Sequence, residues 1–200
     1  MADNGHVYGF RPYKSLHSAD LPSPRRVAIA SSNAAEYHAG DPVKILSTGY
    51  WSLCAAGDKV DGIVVRIGPY YNGTRFAMHT DYLPKTTVYG TNYERQSFLY
   101  VMPAARTVFE CDCDDNTTAT DYPTYLSYIG ENIEMVLGDG TSGAADPKLD
   151  ISTHATTNTL SWRIVGVSEQ MTFLDYSAQN VKLLVTPNLT AESPWTTTGT

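Results

Sequence analysis

Cys111 and Cys113 are separated by one residue and sit among Glu110, Asp112, Asp114 and Asp115. Thiolates and carboxylates bind metals and move protons, so this stretch is where chemistry would first be sought. On a strand, alternate residues share a face, which puts the two thiols on one side and Glu110 and Asp112 on the other. A tetrahedral zinc site takes about four Cys or His ligands, and no others lie near in sequence. A calcium loop of the EF-hand type needs glycine at its sixth position and a carboxylate at its twelfth. Counted from Asp112, the chain has Thr117 and Pro123 there. The pattern predicts a strand with reduced thiols on one face and its acids on a solvated edge that leads into a polar loop, with no metal.

A second motif, Gly138-Asp139-Gly140-Thr141-Ser142-Gly143, has the glycine spacing of a dinucleotide-binding turn. That chemistry needs the third glycine to open a helix whose N-terminal amides hold the pyrophosphate. Pro147 and the strand-like Leu149-Asp150-Ile151 follow instead, so a loop between strands is expected and no cofactor. Hydrolysis needs a nucleophile beside a base, and the available bases are His6, His17, His38, His79 and His154. No Gly-x-Ser-x-Gly elbow or His-Glu-x-x-His helix singles out a pair. The expectation is a protein that is not an enzyme. Because triads assemble from residues distant in sequence, a small β-rich hydrolase ranks as a third hypothesis.

Three cysteines are an odd number, which fits reduced thiols better than a disulfide framework. Cys54, within Trp51-Ser52-Leu53-Cys54-Ala55-Ala56, reads as a small core residue. The net charge of -7 argues against a nucleic-acid partner, because phosphate binding draws on clustered Lys and Arg. No apolar run reaches the ~20 residues of a membrane-spanning helix, so no membrane is expected. Met1-Ala2-Asp3-Asn4-Gly5 has neither the basic start nor the apolar stretch of a secretory signal, which predicts folding in a cytoplasm. In that setting the Asn-x-Thr triplets at Asn72, Asn116 and Asn188 read as Thr-rich loops.

The elements that would position these residues are strands. Runs at 27–31, 43–46, 60–67, 98–102, 107–112, 133–137, 160–167 and 181–185 are rich in β-branched and aromatic residues and end at Gly, Pro, Asn or Asp. Consecutive apolar residues in Ile63-Val64-Val65 and Leu183-Leu184-Val185 predict strands covered on both faces. Only 125–129 and 169–179 suit a short helix. A chain of 200 residues buries about 70% of its unfolded surface, enough for one body.

That body is expected over residues 27–190, followed by a frayed tail at 191–200. Residues 1–26 interleave aromatics, prolines and cations without strand or helix periodicity, and predict an extended N-terminal arm. Tyr8, Phe10, Pro12 and Tyr13 are its expected anchors on a neighbouring molecule. The 14 Tyr against 5 Phe and 3 Trp suit half-wet surfaces such as subunit interfaces or sugar clefts, with Tyr70, Tyr71, Tyr122, Tyr125 and Tyr128 in loop-like contexts.

The order of segments is also informative. An aromatic, Pro-bearing start leads to Ala39-Gly40-Asp41-Pro42-Val43, then Ala55-Ala56-Gly57-Asp58 and Val60-Asp61-Gly62-Ile63-Val64. Tyr82-Leu83-Pro84, Val101-Met102-Pro103-Ala104, Phe109-Glu110 and Ile129-Gly130-Glu131-Asn132 follow. Leu149-Asp150-Ile151-Ser152-Thr153, Trp162-Arg163-Ile164-Val165-Gly166-Val167 and Val181-Lys182-Leu183-Leu184-Val185 complete the series. This order, over nearly the whole chain, resembles the capsid decoration (cement) proteins of tailed bacteriophages. The resemblance implies an all-β, small β-barrel or β-tulip-like body with at most one or two short helices, often trimeric. It also implies that the protein is made in a bacterial cytoplasm, binds the major capsid protein on the outer surface of the virion and stabilises the expanded head. The family has no catalytic residues to carry over. The main alternative is a phage receptor- or carbohydrate-binding β protein.

Overall fold

The computed structural model describes residues 9–16, 18–29, 35–71, 76–77, 82–83, 98–114, 121–137, 147–168 and 181–188. The chain is mostly β, as its alternating and β-branched runs predict. In chain order the strands begin with β1 (Arg11–Ser15), β2 (Arg25–Ala28), β3 (Tyr37–His38), β4 (Pro42–Ile45), β5 (Trp51–Leu53) and β6 (Gly62–Ile67). The short β7 (Tyr70–Tyr71), β8 (Phe76–Ala77) and β9 (Tyr82–Leu83) follow, then β10 (Phe98–Pro103) and β11 (Thr107–Asp112). The helix α1 (Tyr122–Ser127) precedes β12 (Asn132–Val136), β13 (Lys148–Ala155), β14 (Trp162–Val167) and β15 (Lys182–Pro187).

Two antiparallel sheets make the body. One has six strands in the order β1-β11-β15-β14-β12-β13, the other five in the order β2-β10-β6-β4-β5. Strands β10 and β11 are consecutive but lie in different sheets, so the turn between them is a corner joining the two. Thr107 N donates to Ala104 O across that turn, and Arg106 takes the left-handed backbone conformation there, φ 65°. The larger core packs Phe109, Trp162, Ile164, Leu183 and Val185 of the six-stranded sheet with Ile63, Met102 and Ala104 of the other. A second cluster, including Val64, Ile67, Leu99 and Val101, fills the opposite face of the five-stranded sheet. Ile63 and Val64 therefore point into different clusters and both are fully buried, which accounts for the unbroken apolar run in β6.

The six-stranded sheet curls but does not close. Leu149 on β13 makes one parallel bridge to Cys113, just past β11, and Asp114 N donates to Leu149 O. Asp114 Oδ1 also accepts from Ile151 N. One bridge is not a ladder, because the remainder of that edge of β11 is taken by β1. The expected barrel is thus an open, curled sheet packed on a second sheet.

Occupation of that edge corrects two expectations. Over residues 9–16 the N-terminal segment is a strand of the chain's own sheet, with Arg11 opposite Glu110, Pro12 opposite Phe109 and Ser15 opposite Thr107. Phe10 N donates to Gly40 O, and Gly9 has φ +61° where a Cβ would lie 2.8 Å from Gly40 O, so this approach requires glycine. With β1 in place, β11 is an interior strand. Glu110 and Asp112, expected on a solvated edge, are 7% and 6% exposed.

The short helix begins earlier than the expected 125–129. Asp121 caps it by accepting from Thr124 N at 2.9 Å, and Pro123 sits in the first turn, where its missing N–H costs nothing. The possible helix at 169–179, the glycine motif at 138–143 and the tail at 191–200 lie outside the described residues.

Candidate functional site

Two charge pairs face each other across β1, β11 and β15. Arg11 stands opposite Glu110, and Asp112 stands opposite Lys182, so unlike charges meet directly in the register. The Ser168 hydroxyl donates to the Glu110 carboxylate. Asp112 is less well served: its Oδ1 is buried without a hydrogen-bond partner. Burial pushes its carboxyl up to about 6, against the pull of Lys182, Arg11 and Lys148 and with a further push from Glu110. The dent lined by Gly9, Arg11, Glu110, Cys111, Asp112 and Lys182 has room for about one water. That suits a bridging solvent molecule for Asp112 and is too small for a substrate.

On the other face of β11, Cys111 and Cys113 both point into the core, as their spacing predicts, and both are free and fully covered. Burial holds each thiol well above its ordinary value, and Cys54 likewise. A neutral, covered thiol neither attacks nor binds metal readily. Among the described residues no three His, Cys, Asp or Glu side chains converge as metal ligands.

Two histidines are described beside carboxylates. His38, 5% exposed, lies 3.1 Å from Glu36 through Nε2 and 3.8 Å from Asp41 through Nδ1, while its backbone N–H donates to Asp41. The side-chain hydrogen bond to Asp41 is the largest cause of a raised pKa at His38. Burial opposes it, and the charges of Asp41 and Glu36 add to it. This cluster closes the turn whose Gly40 bonds both Phe10 and Val64, so it braces the junction of the two sheets. His154 Nδ1 lies 2.6 Å from Glu131 Oε2, and its ring packs on Tyr128 at 3.9 Å between centroids. His6, His17 and His79 lie outside the described residues.

The surface with the shape of a contact site is on α1. Tyr125 and Tyr128 turn inward, edge to face at 6.3 Å, and anchor the helix to the core. Tyr122, Leu126 and Ile129, spaced i, i+4 and i+7, are 36%, 41% and 40% exposed. Tyr122 and Leu126 share one face of α1, and Ile129 lies just past its C-cap Tyr128, in a turn where its N–H donates to Leu126 O. In sequence, residues 107–147 hold nine Asp or Glu and no Lys or Arg, but Glu110, Asp112 and Glu134 are buried and Glu131 is paired with His154. Val136 and Leu137 in the same segment are also exposed, as are Ile45 and Tyr50 on the β4–β5 hairpin.

No family model, curated protein or solved structure matches the chain.

Of the four expected anchors, Phe10 is consumed by the chain's own core, 1% exposed and stacked on Trp162, so it has no surface to offer a neighbour. Pro12 and Tyr13 are half-buried on β1, and Tyr8 lies outside the described residues. Among the tyrosines expected at contacts, Tyr122 is exposed and Tyr125 and Tyr128 are buried; nothing is described of the side chains of Tyr70 and Tyr71. Sequence reasoning missed Leu126 and Ile129. Two signals pointed to them: the i, i+4, i+7 spacing from Tyr122, and the long stretch without a cation around it.

Proposed function

We propose that this protein is a structural component of a tailed-phage virion that binds the major capsid protein on the outside of the expanded head and stabilises it. The resemblance of the segment order to that of capsid decoration proteins, over nearly the whole chain, supports the reading. The all-β body of two packed sheets is consistent with it, and a rigid helix presenting apolar side chains offers the kind of contact such a protein needs.

A cement protein meets the same capsid surface many times over. If three copies associate and meet a matching local axis, three modest contacts act together and the avidity exceeds that of any one of them. The trimer is part of the proposal. The chain's acidic balance, -7 overall, keeps the free protein soluble and steers it toward a positively charged partner surface.

Cryo-electron microscopy of heads assembled with and without the protein tests the location. Added density outside the shell, at junctions between capsomers, is the expected result. Density confined to a tail tip would favour receptor or carbohydrate binding instead.

A further inference from the structure

We infer that β1 is a proton-controlled strap: two buried ionisable side chains, Asp112 and His38, flank the point where it docks, and both hold it in their protonated forms. The device goes beyond the virion reading and does not depend on it.

The strap docks at Gly9 and Phe10. Phe10 N donates to Gly40 O at 3.1 Å, and Gly9 lies so near that carbonyl that a Cβ would come within 2.8 Å of it. Gly40 belongs to a tight turn, in which Asp41 N donates to His38 O and His38 N donates to Asp41 Oδ2. The His38 ring, 5% exposed, lies 3.1 Å from Glu36 and 3.8 Å from Asp41, and His38 stands opposite Tyr82 of β9 in the register. An imidazolium balances the two carboxylates, whereas loss of its proton leaves two anions beside an uncharged ring. On its other side, Gly9 lines the dent that holds Asp112. Asp112 is 6% exposed, and among the described residues its Oδ1 has no hydrogen-bond partner. A covered carboxyl without a donor is less costly when protonated, and lifting Gly9 away lets water reach it.

The charged neighbours do not reverse this direction. Burial is the largest influence on Asp112 and carries its carboxyl up to about 6, against Lys182 of β15, Arg11 of β1 and Lys148 of β13 and together with Glu110 of β11. At His38 the hydrogen bond to Asp41 is the largest influence and raises the pKa over the opposition of burial, with the charges of Asp41 and Glu36 adding to it. Both values are raised, so both groups favour the docked strap in acid. The hold of Asp112 is complete below about pH 4 and lost as pH rises through about 6, and that of His38 is complete below about 6.5 and lost above it. Phe10 must leave Trp162 for the strap to lift at any pH, so protons set how often it lifts while the docked form stays the major one.

Hydrogen exchange of the full-length protein between about pH 4 and pH 8 tests this, with each rate divided by that of an unstructured peptide at the same pH. Residues 9–16 report the strap and residues 162–167 the core strand β14. Protection at 9–16 is expected to stay below that at 162–167 throughout, because the strap opens by itself, and to fall at least about tenfold from the lowest to the highest pH. Asp112→Asn is expected to protect 9–16 better than the parent at pH 8, and His38→Gln to lack the decline above pH 6.5. Protection of 9–16 that does not change with pH would overturn the inference. So would equal protection of the two segments at every pH, since the strap would then open only with the whole fold, and so would a decline left unchanged in both variants. Should a variant fail to fold, the parent's two profiles decide.

Discussion

The Phe10 ring lies on the indole of Trp162, with centroids 4.2 Å apart and planes 15° from parallel. Phe109 meets the same indole edge-on at 5.9 Å. One residue from the N-terminal segment is thereby built into the centre of the larger core, and its strand covers the flank of β11. Replacing Phe10 by alanine is expected to destabilise the fold by about 3–5 kcal/mol. It should also raise hydrogen exchange in β11, because β1 loses its anchor. Urea denaturation checks the first effect and amide exchange the second. A loss below about 1 kcal/mol with unchanged exchange would mean that β1 docks without its aromatic anchor.

Asp112 predicts a distinct pH dependence. Burial pushes its carboxyl up to about 6, above the ordinary carboxylate range, so the fold favours the protonated form. The stability linked to this group is fully present below about pH 4 and is lost as pH rises through 6, amounting to about 3 kcal/mol. Asp112→Asn should match the parent's stability near pH 4, exceed it above pH 6.5 and flatten the curve between. Parallel slopes for the two proteins would show that the carboxyl titrates normally.

His38 acts in a higher window. Its pKa is raised above 6.5 by its hydrogen bond to Asp41, so its contribution is complete below 6.5 and disappears as pH climbs past the raised value. His38→Gln should remove this upper step while leaving the Asp112 step intact. Proton NMR of the imidazole, followed through the same range, reports the titration directly.

The three thiols should be inert in the native protein. Covered side chains with raised pKa values react only when the surrounding structure opens. Labelling of Cys111 and Cys113 by an aromatic disulfide reagent is expected to track unfolding and to speed up together with it when Phe10 is truncated. Rapid labelling of the folded protein would contradict the described packing of β11.

Where local pattern and tertiary packing agreed, the fold was legible. Thr107–Asp112 was expected and found with identical bounds, and the paired thiols face the core as their spacing implies. Strand β1 was not legible. Pro12 removes a ladder donor, which only an edge strand tolerates, and the irregularity between Pro12 and Lys14 breaks the two-residue alternation. The burial of Glu110 and Asp112 then follows from pairing with a segment about a hundred residues away, which no local window contains. Pro123 obscured the start of α1 because proline signals a break within a helix but is accommodated in its first turn. Leu126 and Ile129 suffered the same masking, although the stretch without cations around them was in plain view.

The central claim is tested most directly by sedimenting the purified protein with mature, expanded heads that lack it, alongside unexpanded heads and free capsid subunits. Saturable binding to expanded heads alone is the predicted result, since a cement protein reads the assembled lattice. Failure to bind any of the three would contradict the claim, and reproducible binding to a single glycan on an array would then assign the protein to carbohydrate recognition.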